Sequence, residues 1–271
     1  MRNAANAGEP FAIGDWEAMA RTLSVIGRLK RLPRTGWLDR GVAPAETESV
    51  ADHAFRMTML AWMVATAPRA GDEPAIDPAR VLLIALAHDL PEAIAGDPTP
   101  YARANIPPEG EPAARREFLQ RRQERDPALA ADKRLAEQAA MAQLLDGLPA
   151  EIAGPLRAAW REYEDQVTPE ARLVRQADKL ETYLQSREYQ TDDPALPMAS
   201  FGLQVADPAT LPDGSMRALR DAITRLTANA EPRAGRSAHA ARMHVPPKPN
   251  GGGERSGWAT DETGHPVDPA G

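Results

Sequence analysis

The dipeptide His88-Asp89 joins two side chains that bind metals and move protons. It ends the most hydrophobic stretch of the chain, VLLIALAHDLPEAIAGD. That stretch is apolar on every side and predicts a buried helix. An imidazole beside a carboxylate is costly there unless a counter-charge meets them. A divalent cation would serve, and further ligands must then come from elsewhere. Of the five histidines, His239, His244 and His265 lie in the C-terminal segment with no further ligand nearby. That leaves His53, in ESVADHAFRMTMLAWMVATA, a helical pattern with Val50, Ala54, Met57, Ala61 and Val64 on one face. The best candidate for a second carboxylate is Asp178, in PEARLVRQADKLETYLQSREY. Thr168 can cap that helix, Pro169 suits its first position, and Leu173, Ala177, Leu180 and Leu184 form its core stripe. Two imidazoles and two carboxylates suit Mn, Co, Fe, Zn or Mg better than a thiolate-seeking metal.

Other groups add to this set. Glu92 lies four residues after His88 and shares its face if the helix continues, where a carboxylate can orient water or carry a proton. Pro91 is expected to kink or end that helix. Asp97 lies in the turn-like segment AGDPTP. The basic loop LKRLPRTGWLDRG is the natural source of phosphate contacts, and Arg34, between Pro33 and a turn glycine, is the cation expected to aim inward. Trp37 reads equally as a pocket wall or a core anchor.

The elements expected to carry these groups are all helical. Residues 15–31 read as an amphipathic helix capped by Asp15, with Trp16, Met19, Ala20, Leu23 and Ile26 on its inner face. After the His53 and Val81–His88 helices comes a proline-rich loop over 98–112, then a helical pattern over 115–145 that breaks near Pro127. Its second half carries Leu135, Ala139, Leu144 and Leu145. Helices through Ile152–Tyr163 and around Asp178 follow, then a loop over 191–212 and a final helix bearing Met216, Leu219, Ile223 and Leu226. No strand pattern is visible. The expected organisation is a flexible N-terminus over 1–14, an all-α bundle over 15–230 with a metal site in its core, and a disordered Gly- and Pro-rich tail over 231–271.

Composition narrows the function classes. The absence of cysteine removes thiol chemistry, disulfides and cysteine zinc sites. A net charge of −7 argues against a nucleic-acid polymer as ligand. The first ten residues lack the apolar run of a signal peptide, and no stretch approaches a bilayer span, so a cytoplasmic protein without a membrane segment is expected.

The segments LKRLPRTGWLDRG, ESVADHAFRM, ALAHDLPEAIAGD and EYEDQVTPEARLVRQADKLETYLQSREY run in order from about residue 20 to 190. Together they resemble the HD-domain phosphohydrolases, and within them the 5′-deoxynucleotidase group of YfbR-like and HD domain-containing protein 2-like enzymes. The resemblance implies an HD-domain helical bundle that hydrolyses deoxyribonucleoside 5′-monophosphates. His53, His88, Asp89 and Asp178 would hold one catalytic divalent metal (Mn2+, Co2+ or Mg2+, with Fe2+ or Zn2+ as alternatives), and Glu92 would be the catalytic carboxylate alongside Asp89. Glu92, Asp97 and the Pro98 carbonyl would form a second, weaker Mg2+ site. Arg34 would grip the 5′-phosphate, Trp37 would crowd the place of a ribose 2′-hydroxyl, and Asp97 would read the sugar. A homodimer is implied as well. Three other readings remain: a dNTP triphosphohydrolase using Arg115, Arg116, Arg121 and Arg122, a phosphatase of a modified nucleotide, and an inactive HD fold used for assembly. A dinuclear oxygenase or cyclic-dinucleotide phosphodiesterase needs further histidines between Asp89 and Asp178, and the chain has none there.

Overall fold

The computed structural model of the chain describes residues 11–68, 75–123 and 126–231. Among these the fold is all-α, with no β-strand beyond an isolated bridge between Pro33 and Ser49. The helices are α1 (Ile13–Ile26), α2 (Thr35–Asp39), α3 (Val50–Thr66), α4 (Pro78–Ala87), α5 (Glu92–Ala95) and α6 (Pro112–Gln120). They continue with α7 (Pro127–Leu144), α8 (Ala150–Asp165), α9 (Pro169–Asp192), α10 (Ala199–Ala206) and α11 (Gly214–Ala228). The expected tail, with His239, His244 and His265, lies outside the described residues except for Glu231.

The helices that carry the chemistry have defined starts. Ser49 and Asp52 form a reciprocal capping box on α3: the Ser49 hydroxyl accepts from the Asp52 amide at 3.1 Å and the Asp52 carboxylate accepts from the Ser49 amide at 2.8 Å. Asp77 caps α4 ahead of Pro78; Thr168 caps α9 ahead of Pro169, as expected for the latter. These caps fix where each helix begins, and so the angular position of His53, His88 and Asp178 around it.

The core forms where α3, α4 and α9 pack on one another and α8 closes over α4. Val50, Met57 and Ala61 of α3, Val81, Ile84 and Ala85 of α4, and Val174, Ala177 and Leu180 of α9 are all fully buried. A smaller apolar cluster of Trp37, Val42, Tyr189 and Met198 joins the C-terminal part of α9 to the Trp37 segment.

Four expectations need correcting. The inner face of α1 is Ala18 and Thr22, while Trp16 and Leu23 are exposed. Small residues allow the close approach that docking needs here: the Thr22 hydroxyl donates to the Leu144 carbonyl at 3.1 Å. Asp15 does not begin this helix but reaches back from inside it to the Ala12 amide at 2.7 Å. In α7 the buried positions are Glu137, Ala140, Met141 and Leu144, and Leu135 is exposed. The segment expected as a loop over 191–212 contains α10, whose Phe201 ring packs 4.7 Å from that of Trp37.

Leu180 lies at the centre of this packing. Leu180→Ala is expected to destabilise the protein by about 2–5 kcal/mol through lost burial and an unfilled cavity, read as a lower midpoint in urea unfolding followed by circular dichroism.

Candidate metal and phosphate site

The chain changes character at His88. α4 ends at Ala87, and His88 caps it while keeping helical backbone angles. From Leu90 the backbone tightens into bonds to the third preceding carbonyl, and α5 starts afresh at Glu92 with Pro91 as its cap. Pro91 thus ends the helix locally, and the tight turn still brings Glu92 to the same cavity as His88 and Asp89. That cavity has a volume of about 490 Å3.

His53 and His88 meet from α3 and the end of α4, with ring centroids 5.8 Å apart. Each ring has one nitrogen committed elsewhere. His53 Nδ1 is bound to the Glu181 carboxylate, and His88 Nδ1 lies 2.7 Å from the Ala85 carbonyl. The other nitrogen of each, Nε2, is buried without a hydrogen-bond partner. Around these two atoms stand carboxylate oxygens: Asp89 at 3.0 Å from His88 Nε2 and 3.9 Å from His53 Nε2, and Asp178 at 3.4 Å from His53 Nε2. One oxygen or nitrogen each from His53, His88 and Asp89 falls within 4.8 Å of the others.

Electrostatics show what this arrangement lacks. Burial and the Arg34 guanidinium both disfavour a charged His53, yet Glu181 and Asp178 outweigh them and raise its pKa to about 10. Asp178 stays ionised against burial because Lys179 and His53 hold its pKa down, and Asp89 does so through His88, Arg34 and His53. The carboxylates therefore favour positive charge beside His53 Nε2. A divalent cation bound by two neutral imidazoles and two carboxylates fits that preference, the donor types and the orphaned nitrogens together.

Glu181 extends the site outward. It is fully buried, and the Arg56 guanidinium binds it, with Nε at 2.9 Å from one oxygen, while also reaching Gln185 at 2.6 Å and Glu188 at 2.9 Å. A carboxylate on the far nitrogen of a histidine fixes the tautomer that can ligate and raises its basicity. Sequence reasoning passed over Glu181. Its signal was the polar line Glu181, Gln185, Glu188 at helical spacing on α9, matched by Arg56 one turn after His53 on α3.

On the other side of the metal ligands, Arg34 turns inward as expected, 3.3 Å from Asp89 and 3.8 Å from Asp97. Asp97 also accepts the Thr35 amide at 2.6 Å, which ties the basic loop to the turn after α5. Glu92 is buried with one oxygen unpartnered, and its pKa is raised well above normal by burial and by Asp89 and Asp97. Pro98 borders the same cavity. Among the described residues the three-ligand clusters are His53, His88 and Asp89, and Glu48, His53 and Glu181; Glu92, Asp97 and Asp178 belong to neither. Trp37 is both of its alternatives: 2% exposed, fixed by Glu48 on Nε1 at 2.8 Å and by Tyr189 and Phe201, yet bordering the cavity. The arginines considered for extra phosphates are engaged elsewhere: Arg115 on the Pro107 and Asp39 carbonyls, Arg116 on the Ala195 carbonyl, Arg121 on Glu117 and Arg122 on Asp207.

Comparison with known proteins identifies the family. The HD domain family matches residues 26–207. The chain is similar to 5′-deoxynucleotidase HDDC2 of Mus musculus, 35% identical over 65% of this chain and 72% of that one, and to its Homo sapiens counterpart, 33% identical over 64% and 69%. It is similar to 5′-deoxynucleotidase hdd1 of Schizosaccharomyces pombe at 33% identity over 62% and 70%. Among solved structures, a conserved hypothetical protein from Pyrococcus furiosus superposes with a TM-score of 0.52 at 27% identity, covering 76% of this chain and 99% of that one. A predicted metal-dependent phosphohydrolase from Magnetospirillum magnetotacticum shares the fold, with a TM-score of 0.54 at 22% identity over 81% and 95%.

Glu181→Gln keeps the size of the side chain and removes the charge behind His53. It is expected to weaken binding of Mn2+ or Co2+ about 10- to 100-fold in a calorimetric titration, with helical content unchanged. Unaltered affinity would show that Glu181 does not tune the imidazole.

Proposed function

This chain belongs to the HD-domain family, and from that premise we propose that it is a metal-dependent 5′-deoxynucleotidase, releasing phosphate from deoxyribonucleoside 5′-monophosphates. The observation that carries the reading is the pair of buried, unpartnered Nε2 atoms of His53 and His88 beside Asp89 and Asp178, with His88, Asp89 and Asp178 bordering the same cavity as Arg34. His53, His88, Asp89 and Asp178 are assigned as ligands of one divalent metal: Mn2+, Co2+ or Mg2+ by donor chemistry, with Fe2+ and Zn2+ also compatible. When bound, the metal supplies a Lewis acid for the phosphate and lowers the pKa of water.

The protein's own residues do the rest. Arg34, held by Asp89 and Asp97, presents its remaining N–H groups to the phosphate oxygens and neutralises charge that redistributes as the P–O bond breaks. Glu92 in its carboxylate form would take a proton from the incoming water and return it to the departing 5′-oxygen. Asp97 doubles as a sugar contact, and Glu92, Asp97 and the Pro98 carbonyl are assigned as the weaker second Mg2+ site. Trp37 cannot yield, because its ring is packed on both Tyr189 and Phe201, so it discriminates against a 2′-hydroxyl by bulk. The substrate is a free nucleotide, which places the enzyme in the cytoplasm on this reading. No helix among the described residues is long and apolar enough to cross a membrane. Phe55, Met59, Trp62 and Met63 form an exposed apolar stripe on α3, which supports a homodimer. The domain assignment is an HD domain over 15–230, and the N-terminal and C-terminal segments expected beside it lie largely outside the described residues.

Purified protein supplied with Mn2+, Co2+ or Mg2+ is expected to release inorganic phosphate from dNMPs faster than from NMPs, and no triphosphate from dNTPs. Asp89→Ala should abolish the release. Arg34→Ala should lower kcat/KM by roughly 10- to 150-fold, the worth of a charge-assisted hydrogen bond of about 1.5–3 kcal/mol. Triphosphate release, or equal rates on NMPs and dNMPs, would overturn the substrate assignment or the role of Trp37 respectively. Size-exclusion chromatography with light scattering should give twice the chain mass.

A further inference from the structure

Helix α7 carries a charged pair on the wrong face for a surface helix. Its buried stripe enters the core through Ala140, Met141 and Leu144, and one and two turns earlier the same stripe continues with Glu137 and Lys133. From Ala131 to Ala139 these two are the only residues that are not exposed. Glu137 is 3% exposed, and its carboxylate lies 2.5 Å from the Lys133 ammonium. A Lys–Glu pair at this spacing on a solvated face adds little stability, and a buried one is often no better than apolar residues of the same volume. Stability alone therefore does not account for its position.

What the pair borders does. Lys133 and Glu137 lie in the wall of the cavity that holds Arg34, His88, Asp89 and Glu92, because α7 packs against α5. The field of Asp89 and Glu92 reaches the ammonium and, with Glu137, keeps it charged against burial. Other cations in that wall also have partners, as Lys133 has Glu137: Arg40 with Ser200, Arg122 with Asp207, Arg134 with Asp165, Lys179 with Asp178, and Arg175 over the Tyr163 ring. Glu137 satisfies one of the three N–H groups of Lys133 and leaves two for a ligand.

The charge balance points the same way. A phosphate monoester brings close to two negative charges into a chamber that already contains Asp89, Glu92, Asp97 and Asp178. Arg34 is shared between two of these carboxylates. We propose that Lys133 is a second phosphate-binding residue, set on the buried stripe of α7 and held in place by Glu137. It contributes a compact cation to the transferring phosphoryl oxygens where Arg34 contributes a planar one. Glu137 is then a positioning residue. The proposal rests on the phosphomonoester reading above.

The test uses the full chain loaded with Mn2+ and inorganic phosphate as the probe, with dNMP turnover measured in parallel. Lys133→Met alone leaves a buried carboxylate unpaired, so Lys133→Met/Glu137→Gln, which removes both charges, is measured beside it. Both variants are expected to bind inorganic phosphate roughly tenfold more weakly or worse and to lose kcat/KM on dNMPs by a similar factor, with metal content unchanged. Lys133→Arg should recover part of the affinity, and Glu137→Gln alone should raise KM more than it lowers kcat. Phosphate affinity unchanged in the double variant would overturn the proposal, as would a loss that only follows loss of metal. If the wild type binds phosphate through Lys133 yet releases none from dNMPs, the role of Lys133 stands and the substrate reading falls.

Discussion

The structure turns on two imidazole nitrogens that have nowhere else to go. His53 and His88 each commit Nδ1 to a partner outside the cavity, so each Nε2 is left buried among carboxylates. Burying polar atoms without partners is costly, and burying several carboxylates together is costlier. The packing of α3, α4 and α9 brings them together at a place where a divalent cation would offset both. Glu181 and Arg56 then act from behind, holding the His53 ring in the orientation that leaves Nε2 toward the carboxylates.

The same constraint shapes the cavity. Once Asp89 and Asp178 are fixed beside the imidazoles, any carboxyl group added nearby feels their field. Glu92 feels it strongly, since burial already opposes its ionisation, and burial with Asp89 and Asp97 holds its pKa well above the ordinary carboxylate range. Arg34 is drawn in by Asp89 and Asp97, and Asp97 in turn anchors the Thr35 amide. The basic loop is thus positioned by the very acids whose charge it relieves. A buried Arg40 ties the end of α2 to α6 and α10, donating to the Leu119 carbonyl and the Ser200 hydroxyl and stacking on Phe201. The far wall is in this way built around a cation as well.

Much of this was legible before any coordinates. His53, His88, Asp89 and Asp178 stand out because each interrupts an apolar helical period, and the cap Thr168 marks where the Asp178 helix starts. Arg34 is distinguished by the proline before it and the glycine after Thr35. Local periodicity and capping depend on neighbours within one or two turns, so the chain alone determines them. The apolar stripe of α1 misled because amphipathicity says that a face exists, not that a partner surface will accept large side chains. The partner here accepts Ala18 and Thr22.

What the chain alone determined, then, is most of the helices, the start of the Asp178 helix and the residue types of the candidate ligands. Tertiary structure decided the partnerships: Glu181 with His53 and Arg56, Lys133 with Glu137 in the cavity wall, and Trp37 locked between Tyr189 and Phe201. Apart from Lys133 with Glu137, each of these joins residues far apart in the chain, and even that pair acquires its meaning only from the cavity that α5 brings to α7. A charge on a helix has the same local pattern whether it meets solvent or a buried carboxylate. Only the packing of one helix on another settles which it meets, and with that its pKa, its partner and its role.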